Sequence, residues 1–171
     1  MNTDDRLNSK MLWNGAETYL EAARILFEHE RKVSRTYMRT SSHPAYFLAC
    51  QAIELALKAY LRGSGKTEDF LAKKCNHNLI TALQAANEHG LTNLLKLEPR
   101  EFSALELANK HYSAKVLQFA LEGYYEYPPM EILLRIAEEL IAKTEAFCLK
   151  NVELHNGKSS AVFGLRSARR K

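Results

Sequence analysis

Three polar side chains interrupt the otherwise apolar run PAYFLACQAIELALKAYL at residues 44–61: Gln51, Glu54 and Lys58. Their i, i+3, i+7 spacing puts them on one face of a helix, which Arg62 continues. Glu54 and Lys58 stand in the favourable i, i+4 order for an intrahelical ion pair. The same stripe also suits the floor of a nucleotide site or a dimer interface, and its flanks Phe47, Leu48 and Leu55 argue against full exposure. Upstream, Arg31, Lys32, Arg35 and Arg39 occur without an intervening carboxylate, and Ser41, Ser42 and His43 lead into Pro44. Cations ahead of a helix N-terminus suit an anion, because free backbone N–H groups and the helix dipole add to their charge. Arg35 and Arg39 are therefore expected to capture phosphate, with His43 and Lys58 as further RNA or nucleotide contacts and Tyr37 as a stacking surface. The competing expectation is a solvated loop whose arginines pair with acidic helix surfaces.

His77 and His111 are the candidates for general-base chemistry. His77 sits between Asn76 and Asn78 just before a helix, where the structural role is capping. His111 belongs to Asn109-Lys110-His111-Tyr112, a helix end that can face the polar stripe of the second helix. Tyr124, Tyr125 and Tyr127 could stack on bases or simply cover the bundle. Gly63-Ser64-Gly65-Lys66 lacks the spacing of a phosphate-binding loop and follows no strand. No nucleophile–base constellation is defined by spacing alone.

These residues must be positioned by helices. Trp13, Ala16, Leu20, Ala23 and Phe27 recur at three- and four-residue steps and predict a first helix over about 8–30, followed by a linker over 31–43. Pro44 opens the second helix and Arg62-Gly63-Ser64-Gly65 ends it. A short amphipathic piece over 67–74 precedes a third helix with Leu79, Leu83 and Ala86 inward, stopping near Gly90. Pro99 opens a fourth, with Phe102, Leu105 and Ala108 inward. EGYYEYPP reads as an extended connection, and Pro128-Pro129 start a last helix to about residue 150, with Ile132, Ile136, Leu140 and Phe147 apolar. No strand alternation appears, so the expected fold class is all-α, an up-and-down helical bundle of about five helices.

The chain has 171 residues, enough for one domain with its own core. Cys50, Cys75 and Cys148 are widely spaced and form no CxxC pair, which argues against a zinc site and a disulfide framework. No metal or cofactor is expected. The start, MNTDDRLNSK, lacks the apolar core of a signal peptide, and the longest apolar run carries charges, so no membrane span and a cytoplasmic location are expected. Residues 151–171 hold five of the 24 basic side chains and one of the 20 acidic ones, which accounts for the whole net charge of +4. Residues 1–150 thus read as a balanced bundle, and 151–171 as a basic, flexible tail.

The segments FLACQAIELALKAYLRGSGK and CNHNLITALQAANEHGL, then a helix ending LANKHY before a tyrosine- and proline-bearing connection, resemble the HEPN superfamily. The match covers roughly residues 10–150, and its most specific part is Glu54 and Lys58 followed by His77-Asn78-Leu79. The resemblance implies a helical bundle, often dimeric, found in toxin–antitoxin, phage-defence and RNA-processing systems. Many members are metal-independent ribonucleases with an Arg, four to six residues, then a His near the start of a late helix. Here Asn109 and His111 stand in that region without the arginine. The literal match Arg24-Ile-Leu-Phe-Glu-His29 lies in the first helix instead, where chance accounts for it.

The leading expectation is a HEPN-like homodimer that binds RNA or a nucleotide as a non-catalytic or divergent member. One alternative is a metal-independent endoribonuclease using His77 or His111 as general base. Another is a protein–protein interaction module, antitoxin-like or a scaffold, with a partner such as a nucleotidyltransferase.

Overall fold

The computed structural model describes residues 8–37, 43–119 and 126–163, with side chains over 8–33, 43–117 and 126–149. Every regular element among these is helical: α1 (Ser9–Tyr37), α2 (His43–Gly63), α3 (Glu68–Lys74), α4 (Leu79–Glu88), a 3-10 turn (Leu91–Asn93), α5 (Pro99–Ser113), α6 (Val116–Phe119) and α7 (Met130–Phe163). The protein is an all-α bundle, with the short α3 and α6 added to the five principal helices expected. No helix among the described residues is long and apolar enough to cross a membrane.

α2 is the centre of the bundle and packs against α1, α4, α5, α6 and α7. Ala45, Ala49, Ala52, Ala56 and Ala59 are fully buried. Recurring at three- and four-residue steps, they keep one seam of α2 thin enough for close helix approach. Ile53, Leu57 and Leu61 are also fully buried, each stabilising by about 2 kcal/mol through removal from water. α1 contributes Trp13, Ala16, Leu20 and Ala23 to the core as the periodicity predicted, and α7 contributes Ile132, Ile136 and Leu140. Its first turns are also tied to carbonyls of α7: Ser9 Oγ donates to Cys148 O at 3.0 Å and Trp13 Nε1 to Ile141 O at 2.9 Å.

Three local readings need correction. α1 does not stop near Glu30 but continues through Arg31 and Arg35 to Tyr37. No proline or glycine interrupts residues 31–37, and arginine and lysine are good helix formers, so charge density alone was a poor loop signal. Phe102 is exposed, whereas Glu101 and Ala104 are buried with Leu105 and Ala108. Glu101 turns inward because it serves two groups: it accepts from Glu98 N–H in a capping box and pairs with Arg135 of α7 at 2.9 Å. Lastly, α7 runs beyond residue 150 to Phe163, into the segment read as a tail. Residues 164–171 lie outside the described ones.

Candidate functional site

Glu54 is 1% exposed in the middle of the most apolar helix. A carboxylate there requires compensation, since an ion buried without partners costs several kcal/mol. Four donors supply it. Lys58 Nζ, one turn along α2, pairs with Oε1. From the segment between α3 and α4, His77 N–H reaches Oε1 at 3.4 Å and His77 Nδ1 lies 3.2 Å from Oε2. From α5, Tyr112 Oη donates to Oε2 at 2.5 Å. One carboxylate therefore fastens α2, the α3–α4 connection and α5 together.

Backbone geometry serves this arrangement. His77 has φ of 51°, in the left-handed region that a histidine adopts at some cost. That turn aims both its N–H and its ring at Glu54. An ionised carboxylate only accepts, so Nδ1 carries the proton and the neutral ring keeps its lone pair on Nε2. The His77 side chain is 42% exposed and the Lys58 side chain 19%. Burial, and then the Glu54 charge beside it, pushes the Tyr112 hydroxyl far above the usual phenol range, so it remains a donor.

Directly after His77, α4 begins with its free N–H groups fully served. Asn78 Oδ1 accepts from Ile80 N–H at 3.2 Å and Thr81 N–H at 3.1 Å, while Asn109 Oδ1 of α5 accepts from Leu79 N–H at 2.7 Å. Asn78 is thus the cap residue and Asn109 a cap supplied from another helix. Neither role leaves the α4 terminus open to an anion.

A second cluster lies at the start of α2. His43 Nε2 and Tyr127 Oη are 2.8 Å apart, and the Tyr127 ring packs against Tyr46 at 4.9 Å and His111 at 4.9 Å. His111 is 5% exposed, and its Nε2 lies 2.8 Å from Glu126 O. A carbonyl accepts only, so that nitrogen is a donor fixed within the protein. Tyr46 donates to Pro128 O at 2.6 Å, and burial with the nearby Glu131 charge raises its hydroxyl to about 12. Tyr127 is therefore a packing residue of the connection before α7.

The structure brings Glu54, Lys58 and His77 together and keeps His43 and His111 in the separate aromatic cluster. Gln51 is half-buried on the same side of α2. Arg35 falls on the backbone of the last α1 turns, while Arg39, Ser41, Ser42, Tyr124 and Tyr125 lie outside the described residues. Arg31 pairs with Glu28 at 3.2 Å and covers the Phe27 ring. The Arg24…His29 spacing forms no site: Arg24 is bound to Glu138 of α7 at 2.8 Å, and five residues turn the two side chains to different helix faces. Tyr112 and Asn109 are the contributors that the sequence marked only as a helix end able to face the polar stripe. Burial raises the thiols of Cys50, Cys75 and Cys148, the last to about 11, which leaves them poor nucleophiles. Among the described residues no group of His, Cys, Asp and Glu is arranged to hold a metal ion.

Comparison with protein-family models, with curated proteins and with solved structures finds no match for this chain.

Proposed function

We propose that this chain is a HEPN-like helical domain that binds RNA or a nucleotide as a non-catalytic or divergent member. The observation that carries the reading is the convergence on Glu54. The sequence pieces that resemble the superfamily, Glu54–Lys58, His77-Asn78-Leu79 and the Asn109–Tyr112 helix end, are far apart in sequence and meet in one knot. Within it Glu54, Asn78 and Asn109 hold helices in place, and His111 is committed to Glu126 O. Phosphate contact then falls to basic side chains outside the knot. A second copy has an apolar surface available on α1, where Met11, Tyr19 and Ile25 are exposed within about a third of the helix circumference. The domain acts as a homodimer.

The test is retention of labelled single-stranded RNA by the full chain in EDTA, with sedimentation velocity for the assembly. Retention without cleavage is the expected result, reduced in an Arg35→Ala, Arg39→Ala variant if those cations are the contact. Absence of retention refutes the reading.

One observation favours a second reading, a metal-independent endoribonuclease. The Glu54 carboxylate orients His77 through Nδ1 and leaves Nε2 as the basic nitrogen on a partly exposed ring, which is how a carboxylate prepares a histidine for proton transfer. Metal-free cleavage that disappears in His77→Ala selects this reading. Cleavage that persists in the His77→Ala, His111→Ala double variant removes both histidines from it.

A further inference from the structure

A groove of about 470 Å³ runs between α3 and α4 beside the Glu54 knot. Its volume falls in the range of small-molecule sites. Asn78, Thr81, Ala85 and Glu88 recur at three- and four-residue steps along its α4 wall, so the wall spans about 15 Å at 1.5 Å per residue. The α3 wall presents Phe70 and the consecutive cations Lys73 and Lys74.

The two ends differ chemically. At one, the Phe70 ring stands edge-on to His89 at 6.3 Å, with Lys66 Nζ 5.3 Å from the Phe70 centroid. At the other, Asn76 and Asn78 flank His77. Asn78 spends its amide oxygen on the α4 N–H groups, which turns its NH2 donors away from the helix end. Among the described residues Lys73 and Lys74 have no ion pair, as is also true of Lys10, Lys96, Arg100, Lys110 and Lys143, but they are the two cations that line this groove. Glu88 is the one carboxylate among the lining side chains.

From this juxtaposition we infer that the α3–α4 groove binds a nucleotide unit, free or within a strand. Its phosphate lies against Lys73, Lys74 and the asparagine donors, and its base against Phe70. Aromatic stacking beside cations is the arrangement by which proteins hold single nucleotides without reading sequence. The inference rests on the RNA- or nucleotide-binding reading and moves its contact from Arg35 and Arg39 to a different part of the fold.

The experiment is calorimetric titration of the full-length protein with AMP and with a short single-stranded RNA. It uses wild type, Lys73→Glu/Lys74→Glu, Phe70→Leu, Arg35→Ala/Arg39→Ala and a bulk-charge control, Lys10→Glu/Lys143→Glu. The expected result is a loss of about tenfold or more in the Lys73/Lys74 variant and a smaller loss in Phe70→Leu, with helicity unchanged and the control near wild type. Binding of AMP identifies a free nucleotide as sufficient, and binding of RNA alone identifies the strand as the source. Wild-type affinity in the Lys73/Lys74 variant, or an equal loss in the control, overturns the groove. If Arg35→Ala/Arg39→Ala then loses affinity, the wider reading stands without it. Failure of wild type to bind either probe refutes the wider reading and the groove together.

Discussion

Replacing Glu54 with alanine is expected to destabilise the protein by about 4 to 6 kcal/mol. Removing one partner of a buried ion pair costs about 3–5 kcal/mol when the other charge stays buried. The Lys58 side chain is 19% exposed, so its ammonium reaches water and the cost falls toward the lower end. Tyr112 is 3% exposed, and stranding its hydroxyl adds about 1–3 kcal/mol. Tyr112→Phe alone should cost about 2 kcal/mol, the value of a hydrogen bond to a charged acceptor, because Lys58 and His77 still serve the carboxylate. If the hydroxyl acts only through Glu54, Tyr112→Phe added to Glu54→Ala should recover the stranded donor's about 1–3 kcal/mol, since phenylalanine leaves no buried hydroxyl. The cycle then yields a coupling energy of about 3 kcal/mol or more. Urea unfolding followed by far-ultraviolet circular dichroism reads it. At a slope of about 2 kcal/mol/M, Glu54→Ala moves the midpoint by about 2–3 M with the slope unchanged. An equal cost for Tyr112→Phe in both backgrounds would refute the knot as the link between α2 and α5.

Further perturbations separate the other roles. Asn109→Ala should cost about 1 kcal/mol and speed amide exchange at Leu79, whose N–H loses its acceptor; unchanged exchange there would remove Asn109 as a cap. Gly90 ends α4 at φ of 92°, so Gly90→Ala should cost about 1–2 kcal/mol in urea unfolding from backbone strain alone. Tyr46 is raised from 10.0 to about 12 by burial, so the native protein holds its proton longer than the unfolded chain does. Its stabilisation is complete below pH 10 and is lost as pH rises toward 12; a tyrosinate absorbance titration should show one late-ionising tyrosine fewer in Tyr46→Phe than in wild type, and an unchanged late amplitude would refute the assignment. Arg24→Ala and His29→Ala should leave any RNA cleavage rate unchanged and shift stability by about 1 kcal/mol or less, as expected of exposed groups; a lost rate would reinstate that pair.

What the sequence reveals of the site follows the range of each interaction. Glu54–Lys58 is a one-turn contact, visible as i, i+4 spacing. The other partners of Glu54 stand 23 and 58 residues away, and no local pattern states that distance. Asparagine before Leu79 announces a cap, but the second cap, Asn109, comes from another helix and looks like any polar helix end. Apolar periodicity located the cores of α1, α2, α4 and α7 because burial of those stripes dominates their energy. It failed at Phe102, where a larger apolar side chain stays outside while Glu101 turns inward to satisfy a cap and Arg135. It also failed over 31–37, where a cationic sequence was read by charge although its helix propensity favoured continuing α1.

The ties from Ser9 and Trp13 to carbonyls of α7 have a consequence for the order of assembly. The chain is made from its N-terminus, so α1 and α2 can pair while α7 is still unmade. The indole N–H of Trp13, however, finds its acceptor 128 residues later, and the Ser9 hydroxyl 139 residues later. These two bonds are a clasp that only α7, made long after α1, can shut, and closing so long a loop comes late in any folding route. Trp13 is the chain's one tryptophan. Its fluorescence is thus an optical report on the clasp itself: a nascent chain lacking α7 should show a water-exposed indole even when its first two helices are already formed.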